Sequence, residues 1–428
     1  MSPLPETFFL YRAPWVLPIV TPAISDGAVL CSAGRIVSVG SAVQLQQEFP
    51  QAVVHHCDGV LMPGLVNAHC HLELSHLDQI SQPNETGSMC DWIQELLACR
   101  FQDQDTTVAR TAARRALIGQ YESGVALLLD IGNDESCLAD YSVQGLERLF
   151  LLECLAATTV SEQQALATIK QLPDTALATA HALYSTRPEL LTTLKQRADR
   201  MNHVFSLHLA ESIDEMLFLG DGRGCFANFL AERGAADFPV PRTSMQHGGV
   251  TEILADLGLL SENLLCVHGV HLTQQDLDRL AHAKASVCLC PGSNRFLKVG
   301  MAPVTQMLVS GLLPALGTDS IASNETLDIW REVQFIREDH PEIPPETVLA
   351  MATLGGARAL GRANDYGSLV PGKKAQLLHV VSSALCEASN SVELLDVLTT
   401  AGRPQDIDWL DGSSDEPSTM MVNNGMNR

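Results

Sequence analysis

The chain is short of positive charge. Its 428 residues carry 27 Lys and Arg against 50 Asp and Glu, a formal net charge of −23. A phosphate backbone needs a basic partner surface, so nucleic acid is excluded as a partner. Docking on an anionic membrane is excluded on the same ground. The sequence also lacks an apolar run long enough to span a bilayer. Its opening, MSPLPETFFLYRAPWVLPIV, is interrupted by Glu6 and Arg12 and has neither a basic start nor a clean cleavage site, so no secretory leader is expected. Charged residues are only 18% of the chain and apolar residues 46%, which excludes disorder and implies a globular protein.

Cysteine, by contrast, is plentiful at twelve residues. Cys154, Cys266, Cys288 and Cys290 lie in apolar stretches, where a free thiol behaves as a small hydrophobe. Without a leader, this pattern leads us to expect reduced thiols and a cytoplasmic protein.

The length suits one large domain plus a smaller one. Residues 1–62 read as strands and turns, with a hairpin signal in DGAVLCSAGRIVSVG, Asp26 to Gly40. A similar piece, GSLVPGKKAQLLHVV, runs from Gly367 to Val381. Residues 1–62 and 361–411 are therefore expected to form one small β-sandwich domain, with 412–428 a mobile tail. Between them, over 63–360, short apolar runs ending in polar residues alternate with helical stretches at 91–122, 161–171, 188–202, 213–233, 273–283 and 325–339. About eight such units imply a (β/α)₈ barrel, an α/β fold whose chemistry sits at the C-terminal strand ends.

Polar residues stand at those ends. In LMPGLVNAHCHLEL, His69 and His71 are two apart, so on a strand they share a face while Cys70 points away. VFSLHLAES supplies His208, with Glu211 three residues later. LLCVHGVHLT supplies His268 and, beyond the strand, His271, and LLPALGTDS supplies Asp319 after Gly317. Each alone is weak: a rim pair, a core histidine, a loop histidine, a helix cap. Three histidines and an aspartate on separate strand ends together suit a catalytic zinc or iron site with a position open to water.

With these pieces, and with CPGSN and the closing PGKKAQLL in the same order, the chain resembles the amidohydrolase superfamily along essentially its whole length. It looks like the mononuclear nucleoside deaminase branch, because LATAHALYS offers no lysine to bridge a second metal. The resemblance implies His69, His71, His208 and Asp319 as ligands of one divalent metal ion. It implies Glu211 as the proton shuttle to a substrate ring nitrogen, His268 as the group that orients the attacking water, and Asp319 as a proton acceptor. It departs from the superfamily at Gln376, where aspartate is usual, and at Cys70, often threonine.

NAHCHLELSHL, GSMCDWIQ and CPGSNRFLKVGMAPV look most like the aminodeoxyfutalosine deaminases of menaquinone biosynthesis. Methylthioadenosine and S-adenosylhomocysteine deaminases are next. By this resemblance Glu73 is expected to bind ribose hydroxyls, and Trp92 and His181 to line the nucleoside pocket. A benzoate on the substrate would need a cation, for which Arg187 and Arg295 are the candidates. The expected partner is a small nucleoside, and relatives are often dimers. A triazine-type chlorohydrolase and a non-catalytic scaffold are the competing readings.

Overall fold

Apolar runs that are buried on both faces become parallel strands, because only a sheet covered on both sides hides such a run. The computed structural model describes residues 7–80, 88–102, 106–134, 138–139, 141–240, 249–412 and 422–424. Eight of its strands carry the central architecture: β1 (Leu65–Cys70), β2 (Val125–Gly132), β3 (Glu147–Cys154), β4 (Ala178–Ala180), β5 (Phe205–Leu209), β6 (Leu264–His268), β7 (Ser286–Leu289) and β8 (Ala315–Leu316). β1, β2, β5 and β6 are buried at every residue.

The strands form two four-stranded parallel sheets, one running β4-β3-β2-β1 and the other β5-β6-β7-β8. Parallel bridges join their edges at both sides, Ala182 to His208 and Cys70 to Asp319. Each strand therefore lies beside its neighbours in chain order, and the C-terminal ends of all eight face one way.

Helices follow most strands with one apolar face inward. Pro188–Met201 buries Leu190, Leu191, Leu194 and Ala198, starts on a proline and ends at Asn202 in the left-handed region. Gln274–His282 starts at a reciprocal cap between Thr273 and Asp276. Two of the long helical stretches expected from the sequence are broken. The 213–233 stretch is two helices, Ile213–Asp221 and Cys225–Glu232, parted where Gly222 and Gly224 take φ of 67° and 91°. The 91–122 stretch is Met89–Gln102 and Thr106–Glu122.

Both chain ends meet in one seven-stranded sheet. Asp406–Leu410, Leu377–Val381, Val60–Pro63, Phe8–Val16, Ile24–Ser32 and Arg35–Ser41 lie side by side, and Val53–His56 also pairs with Phe8–Val16. The expected hairpin turns at Ala33 and Gly34, whose φ values of 49° and 71° match the strand twist. A sandwich was expected; the described strands link into one hydrogen-bonded set, in which Phe8–Val16 pairs with Val53–His56 at one end and Val60–Pro63 at the other, and two separate apolar clusters pack on it. Tyr11, Val29 and Leu61 belong to one, and Leu10, Leu30 and Leu45 to the other. Trp409 fastens this sheet to the larger unit: its ring stacks on Tyr121 at 5.2 Å and its Nε1 donates to the Tyr121 carbonyl at 3.1 Å.

Two expectations need correction. Cys90 and Cys225 form a disulfide. They are 135 residues apart, so only the fold reveals the pairing. Cys154, Cys266, Cys288 and Cys290 are free, as expected. The 412–428 tail lies mostly outside the described residues, but Val422–Asn424 pairs antiparallel with Tyr141–Val143, so that part is not a free tail. Among the described residues no helix is long and apolar enough to cross a membrane.

Candidate metal and catalytic centre

His69 ends β1 with its side chain wholly buried, and His71 follows where the chain turns. That turn is held by Asp130 on β2, which accepts from the Leu72 amide at 3.1 Å and pairs with Arg148 at 2.7 Å. The two imidazoles bring Nε2 atoms to 3.1 Å of each other. Asp319 Oδ1 stands 3.6 Å from His69 Nε2 and 3.5 Å from His71 Nε2. The close approach of β8 to β1 explains Gly317, because a Cβ there would meet the His69 Cβ and the Cys288 sulfur, each at 2.8 Å. His208, from β5, completes the group, and ligand atoms of His69, His71 and His208 all lie within 4.8 Å of one another. Such a cluster of electron donors is unfavourable on its own and is what a divalent cation relieves, so the residues fit one. The protonation states agree. Burial lowers His69 to about 4 and His208 well below its usual range, so both present lone pairs. Burial alone would raise Asp319, but the imidazoles of His69, His268 and His71 around it hold it well below the usual carboxylate range.

Strain marks the same spots. Ala210, His268 and Asp319 take φ of 53°, 71° and 57°, a region that costs on the order of 1–3 kcal/mol for a residue with a side chain. Surrounding bonds enforce it. Asp319 Oδ2 accepts from Ser293 at 2.7 Å and Ser323 at 2.8 Å, and its amide donates to the His69 carbonyl at 3.1 Å. His268 Nδ1 meets Asn294 Oδ1 at 2.9 Å, which makes Nδ1 the donor and leaves the Nε2 lone pair facing inward. There Nε2 lies 3.5 Å from Glu211 and 4.0 Å from Asp319. Burial and the charge of Asp319 push the Glu211 carboxyl well above its ordinary value, which favours its protonated form. Glu215 supports the turn, accepting from the Ala210 and Glu211 amides at 3.0 and 2.8 Å.

The expected substrate residues fare unequally. The His181 ring stacks on His208 at 4.7 Å and its Nδ1 meets Ser185 Oγ at 2.8 Å, so it borders the centre. Trp92 donates from Nε1 to the Ala322 carbonyl at 3.2 Å, which packs it on the loop that carries Asp319. The other three are placed differently from expectation. Glu73 is already saturated: Arg100 reaches Oε1 at 2.8 Å, and the Asn133 and Asp134 amides donate to Oε2 at 3.0 and 2.9 Å. Arg187 is held by Glu162 at 3.1 Å and Asp237 at 3.7 Å. Arg295 is held by Glu338 at 3.0 Å and Asp339 at 2.5 Å, with its guanidinium over Phe335. Both arginines thus already face protein carboxylates. His271 takes no part in the cluster, Cys70 is buried with its thiol pushed up by burial, and Gln376 bonds the Gly145 carbonyl at 2.8 Å in the sheet built by the chain ends.

Reading the sequence alone missed Glu153, Glu215, Ser293, Asn294 and Ser323. The CPGSN segment was a visible signal for two of them, since it closes an apolar run as the other site segments do.

Residues 60–399 match the model of the amidohydrolase family. A 5-methylthioadenosine/S-adenosylhomocysteine deaminase of Moorella thermoacetica is 30% identical over 383 residues, which cover 85% of this chain and 83% of that protein. Among solved structures, an adenosine deaminase of Xanthomonas campestris with bound zinc superposes with a TM-score of 0.74 at 24% identity, over 96% of this chain and 92% of that one. The aminofutalosine deaminase of Helicobacter pylori superposes with a TM-score of 0.76 at 21% identity, over 95% and 99% of the two chains. At these identities the two structural likenesses speak for the fold.

Proposed function

The chain belongs to the amidohydrolase family and is a hydrolase of carbon–nitrogen bonds, and from that premise we propose that it deaminates a 6-aminopurine nucleoside with one divalent metal ion. The two bridged sheets we read as one closed (β/α)₈ barrel. His69, His71, His208 and Asp319 would hold the ion, with zinc favoured over iron. Bound there, the ion would supply a hydroxide nucleophile at neutral pH.

The protein groups do the rest. Glu211 donates its proton to the ring nitrogen beside the amino-bearing carbon, which makes that carbon electrophilic. His268, fixed by Asn294, orients the incoming oxygen with its inward Nε2. Asp319 accepts one proton of the attacking water and passes it to the departing amine, and the other water proton returns to Glu211 as the ring carbonyl forms. One water is consumed, one ammonia leaves, and the ring carbon keeps the oxygen. The observation that carries this reading is the buried Glu211 carboxyl 3.5 Å from His268 at the edge of the histidine cluster.

The NAHCHLELS string favours aminodeoxyfutalosine, and with it a role in menaquinone biosynthesis. A second reading, methylthioadenosine or S-adenosylhomocysteine, is favoured by the Moorella relative and by the engagement of Arg187 and Arg295 with protein carboxylates. The test is metal removal and return. Purified protein should hold about one equivalent of metal, lose ammonia release from adenosine-like compounds on chelation, and regain it on adding zinc. No bound metal in wild type, or chloride release from a chlorotriazine without nucleoside deamination, would overturn the proposal.

A further inference from the structure

We propose that Glu153 is a positioning residue for His208: its carboxylate takes the Nε2 proton of that imidazole and leaves Nδ1 as the ligating nitrogen. This rests on the metal-centre reading above. Glu153 lies near the end of β3, one strand away from β4 and two from β5, with its side chain only 6% exposed. Its Oε2 accepts from Asn133 Nδ2 at 3.3 Å, and the same amide donates to the Glu153 carbonyl at 3.0 Å. Its Oε1 is buried and has no hydrogen-bond partner.

The group it faces is in the same position. His208 Nε2 is buried without a partner and stands 3.8 Å from Glu153 Oε1. At the other end of the ring, His208 Nδ1 lies 3.2 Å from His268 Nε2, on the side where Asp319 and Glu211 converge. His181, stacked at an interplanar angle of 24°, holds the ring in this plane. The imidazole therefore has an inner and an outer nitrogen.

Two unpartnered buried polar atoms facing each other are costly, at about 1–3 kcal/mol each. A proton on Nε2 and a small rotation of either side chain satisfies both. A neutral imidazole carries a single N–H, so this choice also fixes where the lone pair goes. It points inward. Histidine ligands generally owe their orientation and basicity to such an outer partner. Asn133 holds Glu153 from behind, and the Asn133 amide in turn donates to Glu73, which gives that carboxylate a supporting place.

The test is metal affinity, measured by competition between the zinc-loaded protein and a chromophoric chelator. E153A should weaken zinc binding about 10–100-fold. E153Q, which keeps an acceptor oxygen, should recover most of that loss. Metal-free E153A should melt below the metal-free wild type but remain cooperatively folded, and excess zinc should restore kcat with KM unchanged. Unchanged zinc affinity in E153A, with one equivalent bound by wild type, would overturn this inference and leave the proposed function standing. So would a second equivalent of zinc that disappears in E153A, because Glu153 would then be a ligand itself. A wild type that binds no zinc would instead overturn the metal-centre reading.

Discussion

Glu211 Oε1 stands 3.5 Å from His268 Nε2, with both side chains buried. The acid and the imidazole come from adjacent strand ends and converge on one point. Burial lowers the imidazole below its ordinary value and raises the carboxyl well above its own. Replacing Glu211 by Gln keeps the shape and removes the transferable proton. E211Q should lower kcat about 10²–10⁴-fold, the usual worth of general acid–base help, and leave the metal content intact. Steady-state kinetics with metal analysis on one preparation checks this. Wild-type turnover by E211Q would remove Glu211 from the chemistry.

Glu332 makes stability depend on pH. It is buried behind the site, accepts from the Gly292 amide at 2.8 Å and from Asn324 Nδ2 at 2.8 Å, and burial raises it from an ordinary 4.5 to about 8. The folded protein thus binds this proton more tightly than the unfolded chain. Its contribution is fully present below pH 4.5 and is lost as pH rises through 8, on the order of a few kcal/mol. E332Q cannot ionise there. The melting temperature of wild type relative to E332Q should therefore fall steadily between pH 5 and pH 9. Parallel melting curves for the two proteins would show that Glu332 ionises normally.

The Cys90–Cys225 bond joins the helix that carries Trp92 to the second helix after β5. It closes a loop of 135 residues, for which loop entropy alone gives about 5 kcal/mol and measured cases fall near 2–4 kcal/mol. C90S/C225S should melt several degrees below the oxidised wild type, and reductant should lower the wild type but not the double variant. Thiol titration of the unfolded, unreduced protein should find ten groups, the twelve cysteines less this pair. Twelve reactive thiols would show that the bond does not form.

The strand–helix alternation and the strand-end positions of His69, His71, His208 and Asp319 were legible because each is a local pattern: an apolar run closed by His69, His208 or Asp319 states both its strand and the face it offers. The partners of those residues were not. Asn294 and Ser293 reach His268 and Asp319 only because β7 packs between β6 and β8, and no spacing in the sequence encodes that contact. Glu153 ends an apolar run just as His208 does, yet an acid at a strand end reads as an ordinary rim charge until its unsatisfied oxygen is seen. The surroundings of Arg187 and Arg295 were not legible for the converse reason. An arginine's chemistry depends on which carboxylate reaches it first, and Glu162, Asp237, Glu338 and Asp339 do so here.

The central claim is metal-dependent deamination of a 6-aminopurine nucleoside, and its most direct test is ammonia release by zinc-replete protein from adenosine, methylthioadenosine, S-adenosylhomocysteine and aminodeoxyfutalosine. The account predicts stoichiometric ammonia from at least one, with aminodeoxyfutalosine first, and none after chelation. A flat response to all four from protein carrying one equivalent of zinc would contradict it.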